Sequence, residues 1–586
     1  MAGQVDVVIS GISGRFPDSE NMTEFAEKLL AGHDFLTEDS RRWEPGYCGL
    51  PRRHGKLKSL SEFDAHFFGI HSKQATNMDP QLRILLETCY EAILDAGIDP
   101  ADLRSSNVGV FVGCSSSETE AVLSANVESI VGYELTGCTR SMFSNRISFC
   151  FDFQGPSFTV DTADSSSLLA LQLALDSIRK GECNAALVCG ANLNLLPQSS
   201  MQLLRLNLLS TTHCNASRSF DAAGISQSET IGSVFLQKRE LAHRCYATIV
   251  HAKSNTSGYK NPAITVSNSD RMTQLLRQVY SEAKVDPNQV VYLEAHGTGG
   301  QIDDWTEIDA ITEVLCANRQ RPLLIGSVKS AMGHAEAASG IAALAKVIVA
   351  IESGLIPPNL HYTEHSPNMA AVEGRLKVVT QPTQWKGGLV GISSLGLGGS
   401  NTHVLLNSHV QESTIKPNGT HAVPEIPRLV LVAGRTEEAV NVLLQAAKHH
   451  AKNTYFLELL SAQAHLRPNL SPYRGYTILS PETHLQPVCS VEVSYMPLHS
   501  SVTYLFWFQR LSVRDTREIW YVYSGIGTQW TGMGQALLTI GRFRDSIKQC
   551  SDALSLFGFD VLGTLKSGEK QTENILHSIV SITAIQ

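Results

Sequence analysis

Over residues 1–410, short runs of consecutive apolar residues alternate with segments in which apolar residues return every three or four positions. The runs VDVVISGIS, VGVFVG, SFTVDTA, AALVCGAN, VVYLEAHG, PLLIGSVKS and GLVGISS are continuously apolar and short, the pattern of strands buried on both faces. Between them DPQLRILLETCYEAILDAG has the helical period. Asp79 stands at the N-cap and Pro80 at the first helical position, while Leu82, Leu85, Leu86 and Cys89 form one apolar face and Gly97 closes the far end. Strands alternating with helices predict an α/β fold of largely parallel sheets covered by helices.

From about residue 411 to 426 the chain turns polar and Pro-containing, QESTIKPNGTHAVPEIP, which reads as a linker. A smaller α/β segment follows from RLVLVAGRTEEAVNVLLQAAKHH to about residue 480. Residues 482–515 have no clear period and carry an aromatic cluster at Tyr504, Phe506, Trp507 and Phe508. They read either as a loop hairpin or as an anomaly of the sequence such as a mis-joined gene model. IWYVYSGIGTQWTGMGQALL then predicts a strand, a Gly-rich turn and the start of a helix. No internal repeat is legible.

Composition narrows the class. A chain of 586 residues predicts two to four domains, and 18% charged residues, a 43% hydrophobic set and 44 glycines suit a large buried core with many tight turns. The net charge of -9 argues against nucleic-acid binding and against docking on an anionic membrane. The N-terminus lacks a basic flank and Asp6 interrupts its apolar stretch, so it does not read as a signal peptide. GIAALAKVIVAI is too short to span a bilayer and carries Lys346. Twelve cysteines without CxxC spacing read as reduced thiols, many of them buried. A cytoplasmic, soluble, multidomain protein is expected.

Four stretches bear on chemistry. VDTADSSSLLA has the form of a strand, a tight turn and a helix, with Asp164 at the position such a turn presents. EAHGTGG puts His296 in a Gly-rich turn at a strand end, and SVKSAMGHAEAASG puts Lys329 and His334 between a strand and a small-residue helix. GISSLGLGGSNTHV is a Gly-rich turn after a strand. Each has an ordinary explanation. A lone histidine at a strand end is more often structural than catalytic, and a lone lysine is usually solvated. GLGGSN falls short of a dinucleotide fingerprint because Asn401 takes the last glycine's place. An aspartate ahead of Ser-Ser-Ser is most simply an N-cap.

Taken together and in this order, these stretches resemble the β-ketoacyl synthase domain of animal-type fatty acid synthases and their polyketide synthase relatives. FDFQGPSFTVDTADSSSLLALQLA is similar to the family's nucleophile segment, except that the family has Cys where this chain has Asp164. EAHGTGG and KSAMGHAEAASG match its two histidine motifs and its lysine, carried here by His296, His334 and Lys329, and MDPQLRILLE, SNRISFCFDF and SSLGLGGSNTHV add to the match. PYRGYTIL is similar to the family's linker domain and SGIGTQWTGMG to the opening of its malonyl/acetyl transferase. The resemblance implies a thiolase-type layered fold with two similar halves, each carrying a five-stranded sheet, over residues 1–410. A small α/β linker domain is then expected over 411–515 and the truncated N-terminal part of the transferase over 516–586. A homodimer and an acyl carrier protein partner are implied as well. The substrates would be phosphopantetheine-carried acyl and malonyl thioesters, with no bound cofactor and no metal.

In that family a thiolate at a helix N-terminus takes an acyl group, and two histidines assist loss of CO2 from the malonyl thioester and stabilise the enolate. Lysine orients one histidine and the local charges. The resemblance places Leu395, Leu397, Gly398, Gly399 and Thr298 against substrate, the two leucines standing where the family has phenylalanines beside the acyl pocket. Asp164 opposes the chemistry: acylation would give an anhydride that is formed uphill and hydrolysed quickly, and its charge would repel the malonyl carboxylate. Cys114 in VGCSSSE precedes three serines as the family nucleophile does, but it lies on an earlier strand and is not expected to replace it. Further departures are Gly300 for Thr, IDDWTE for a Gly-Asp-Pro-like stretch, a loop shortened to ISQSE, and Ala331 for Asn. The transferase's GxSxG motif does not occur. The expectation is a ketosynthase region without ordinary condensation. Its alternatives are a residual malonyl-thioester decarboxylase and a non-catalytic dimerisation or carrier-docking scaffold.

Overall fold

The computed structural model describes residues 5–210, 219–220, 224–261, 263–362, 372, 374–409, 428–434, 436–451, 453–463, 473–479, 494–495, 522–523, 525, 530, 532–567 and 575–586. They form two compact units, residues 1–412 and 413–586.

In the first unit the elements used below are β1 (Val7–Arg15), α1 (Pro80–Asp95), β2 (Val108–Cys114), α2 (Arg140–Phe151), β3 (Ser157–Val160), α3 (Ser166–Lys180), β4 (Ala185–Asn192), β5 (Thr230–Lys238), β6 (Ala247–Thr256), α4 (Ser269–Ala283), β7 (Val290–Glu294), α5 (Gln301–Leu315), β8 (Leu323–Gly326), α6 (Ser339–Ser353), β9 (Leu376–Val378), β10 (Leu389–Leu395) and β11 (Ser400–Ser408). The apolar runs become strands buried on both faces: every residue of β2 and β4 is buried. α1 is built as its sequence predicts. The Asp79 carboxylate accepts from Gln81 N at 2.8 Å, the four predicted apolar residues are buried, and Gly97 takes φ +79° past the C-terminus.

The strands join in one 11-stranded sheet ordered β9-β8-β7-β10-β11-β6-β1-β5-β4-β2-β3. The two five-stranded halves that the resemblance implies are both present: β1 and β6 join them edge to edge through two pairs, Val8↔Thr248 and Ile9↔Ala247, and β9 extends the far edge of the second. On either side of that seam the topology is the same. Leaving out the added edge strand β9 and numbering the strands within each half in chain order, both read third-second-fourth-fifth-first. Three parallel strands are followed by two antiparallel ones. The repeat that the sequence does not display is therefore present in the fold.

Helices α3 and α6 fill the buried middle of the unit. Ser339 through Ile351 of α6 are all buried, and Gly340 N donates to Ser167 Oγ of α3 at 3.1 Å. Gly340 is required there: a Cβ would lie 2.6 Å from Leu168 Cγ. Lys346, inside this helix, has Nζ 2.9 Å from the Glu294 carboxylate, and both residues are sealed from solvent. The ten cysteines among the described residues are unpaired.

The second unit contains β12 (Arg428–Gly434), α7 (Glu437–His449), α8 (Thr454–Gln463), β13 (Tyr473–Leu479), β14 (Ser494–Tyr495), α9 (Gly541–Leu554), α10 (Val561–Ser567) and α11 (Ile575–Ile585). β12 and β13 pair antiparallel from Arg428↔Leu479 to Gly434↔Tyr473, and Val430 packs with Ala447, Leu457 and Leu460 of the helices. Ile547, Val561 and Leu565 make a further small cluster. Apart from Ser494 and Tyr495, residues 482–515 lie outside the described residues, the aromatic cluster at 504–508 included, as does most of SGIGTQWTGMG. Among the described residues no helix is long and apolar enough to cross a membrane.

Candidate active site

Side chains from both halves meet where α3 begins. Between β3 and α3 the chain reverses through Ala163, whose φ of +56° puts a residue with a Cβ in the left-handed region, a strain that holds residue 164 at a fixed angle. Small hydroxyls brace the turn: Ser166 Oγ donates to Ala163 O at 2.5 Å and accepts from Thr162 N at 2.9 Å. The Asp164 carbonyl accepts from Ser339 Oγ at 2.9 Å and Ser394 Oγ at 2.7 Å, tying the turn to α6 and β10.

Asp164 is not the N-cap of α3, which corrects the simplest sequence reading. The helix starts at Ser166, Ser165 occupies the cap position, and no side chain caps it. The carboxylate turns toward the opposite loop instead, where Oδ2 accepts from Leu397 N at 3.2 Å and Oδ1 lies 3.4 Å from His334 Nε2. An N–H aimed at residue 164 is what a developing oxyanion on an acyl group would need. Here the protein's own carboxylate takes it.

His296 and His334 stand edge to face with ring centroids 5.4 Å apart, and both are buried. Burial pushes both imidazole pKa values down, that of His296 well below its usual range. Nearby Lys329 adds to the effect on His296, while Asp164 pulls His334 partly back up. Lys329 Nζ donates to the His296 carbonyl at 2.7 Å, so the lysine fixes the histidine's backbone, and its own pKa is lowered by burial.

The sequence motifs gave these four residues but missed the acids that hold them. Glu307 of α5 accepts from His296 N at 2.8 Å and Gly297 N at 2.9 Å, and Asp304, one turn earlier, accepts from Thr298 N, Gly299 N and Phe220 N. Burial raises these carboxyls, Glu307 to about 7 and Asp304 to about 8. Their i, i+3 spacing in IDDWTE was the available signal. Glu294 accepts from Val328 N at 2.5 Å and positions the lysine turn. The loop shortened to ISQSE also has a task, because Ser226 O accepts from His334 N at 2.7 Å and Ser228 N donates to His334 O at 2.9 Å.

The expected substrate contacts divide. Leu395 is buried in the core cluster that contains Phe220, Leu293 and Leu405, so its side chain is committed to packing. Leu397 is half-buried, Gly398 is exposed and Gly399 takes φ +95°, while Thr298 is buried within the loop held by Asp304. Gly300 precedes the first turn of α5, and Ala331 is buried. Cys114 is fully buried at the end of β2, its thiol pushed far up by burial, which makes it no nucleophile.

Four family descriptions match the chain: β-ketoacyl synthase N-terminal domain over residues 4–242, its C-terminal domain over 246–363, the ketoacyl-synthetase C-terminal extension over 366–478 and an acyl transferase domain over 520–586. A fatty acid synthase sequence from Anser anser anser is 51% identical over 352 residues, 60% of this chain and 99% of that one. The chain belongs to the β-ketoacyl synthase family. A partially reducing polyketide synthase of Talaromyces stipitatus is 30% identical over 94% of this chain, which spans only 23% of that relative's length. Among solved structures, an oxazolomycin ketosynthase domain of Streptomyces albus JA3453 matches with a TM-score of 0.69 and 29% identity. The match covers 81% of this chain and 86% of that one. The ketosynthase from module 6 of the Bacillus subtilis 168 bacillaene synthase matches with a TM-score of 0.68 and 26% identity, over 81% and 82%. The thiolase-type ketosynthase fold is thus shared with both.

Proposed function

We propose that this chain is the ketosynthase region of a fatty acid synthase-type protein in which ordinary condensation is silenced at residue 164. Asp164 carries the reading. Its carboxylate sits on the turn that should present a nucleophile, accepts the Leu397 N–H and faces His334. An acyl group cannot rest there as a stable thioester, and the fixed charge disfavours a malonyl carboxylate beside it. His296, His334 and Lys329 keep their places in this reading, so the alternative of residual malonyl-thioester decarboxylation has its donors, and the Asp164 charge counts against it. The other alternative is a scaffold for dimerisation or carrier docking.

The same reading divides the protein into a ketosynthase at 1–410, a linker domain at 411–515 and the opening of a malonyl/acetyl transferase at 516–586. It places the protein in the cytoplasm as a homodimer served by an acyl carrier protein, with phosphopantetheine thioesters as substrates and Leu397, Gly398 and Gly399 against them. The test is intact mass after exposure to acyl thioesters. No adduct is expected on the wild-type chain, and a stable adduct mapped to any of its residues overturns the reading.

A further inference from the structure

We propose that Asp164, His296 and His334 form a binding site for a divalent transition-metal ion of the zinc class. One donor atom from each of the three lies within 4.8 Å of the other two. Two imidazoles, one carboxylate and an open position make the donor set that zinc takes in its catalytic centres, with bonds of about 2.0–2.2 Å. A tetrahedron with bonds of about 2.1 Å has edges of roughly 3.4 Å. His334 Nε2 and Asp164 Oδ1 are 3.4 Å apart, outside the usual N–H···O range of about 2.7–3.2 Å and equal to that edge. Closing the remaining separations asks for side-chain shifts of roughly 1 Å.

The surroundings suit an ion that prefers nitrogen. Both rings are almost fully buried while Asp164 keeps 17% of its side chain exposed, so an ion would enter from the aspartate side and be shielded on the other. Nδ1 of His296 and of His334 has no hydrogen-bond partner among the described residues, so no neighbouring group holds either ring in one tautomer. Lys329 opposes a cation, and the Glu294 carboxylate beside it offsets part of that charge. Magnesium and calcium are disfavoured, since both take oxygen ligands. Of the three donors only Asp164 replaces the family's residue type, and the three sit on turns far apart in sequence, so no local spacing signals a metal. The inference goes beyond the proposed function and does not require any acyl chemistry.

The test uses the full chain without an affinity tag, loaded with Zn(II) or Co(II) and dialysed. About one equivalent of metal per chain should remain. The Co(II) form should show visible d–d bands without the near-ultraviolet sulfur-to-metal band that thiolate ligation gives. Asp164→Ala and His334→Ala should each weaken binding at least about a hundredfold, since even second-shell losses cost 10–100-fold, with near-ultraviolet circular dichroism of the metal-free protein unchanged. Should either variant misfold, the wild-type melting temperature decides, because a bound ion must raise it with increasing Zn(II). Sub-stoichiometric retention, a sulfur band, equal retention in both folded variants, or a melting temperature indifferent to Zn(II) would each overturn the proposal.

Discussion

A carboxylate at residue 164 differs from a thiolate in what it does to its neighbours: it consumes the Leu397 N–H and draws on His334. Replacing it should release both. Asp164→Cys is expected to gain an acyl adduct visible by intact mass, because the strained turn at Ala163 and the start of α3 favour a thiolate there. If that variant folds and never acylates, the damage extends past one residue and the scaffold reading moves ahead. Any CO2 released from malonyl thioesters should fall on the order of a hundredfold or more in His296→Ala and in His334→Ala, as when one oxyanion donor is removed. Release unchanged in the double variant would locate it elsewhere. At this scale the sequence was legible where a residue type is itself the chemistry, as for the two histidines and Lys329. Asp304, Glu307 and Ser226 were not, since each acts by receiving or offering a backbone hydrogen bond, a role many residues could fill.

Two elements make separate tests. β2 passes so close to α3 that a Cβ on Gly113 would sit 2.5 Å from Ser167 N, so Gly113→Ala must displace the helix whose first turn follows Asp164. A loss of about 3 kcal/mol in stability is expected, readable as a lower urea midpoint, and an unchanged midpoint would mean that the contact yields freely. In the β10–β11 hairpin His403 is wholly buried between Ser393 Oγ, 3.0 Å from Nδ1, and Tyr280 OH of α4, 3.1 Å from Nε2. Burial lowers its pKa to about 3. Between pH 6.5 and 3 the unfolded chain holds a proton here that the folded chain refuses, so stability falls as pH falls, by on the order of 5 kcal/mol across the window. His403→Gln should flatten the pH dependence of the urea midpoint between pH 7 and 4, and equal slopes would exclude this residue as the cause. Strands and helices were legible because burial on both faces and helical period write themselves into runs of residues. The bonds between neighbouring strands leave no such trace.

For the whole molecule, β3 lies at the end of the sheet with Phe158 53% exposed, and Phe149 of the adjoining α2 is 73% exposed. An edge strand with exposed aromatics is a surface that another copy can cover. We therefore expect a dimer through residues 1–410, and a monomeric mass by light scattering at micromolar concentration would refute it. The doubled topology stayed hidden in the sequence because a buried strand asks only for apolar side chains, so two equivalent strands need share no residues. The seam between the halves carries a consequence of its own. Two residue pairs, beside a hydrogen bond from Tyr246 N to Ile9 O, tie the sheet across it, whereas α3 and α6 press together over a broad apolar contact. Such a joint behaves like a subunit interface within one polypeptide. Cut at the exposed turn near Leu241, the two fragments should each precipitate alone and, produced together, reassemble into a soluble pair.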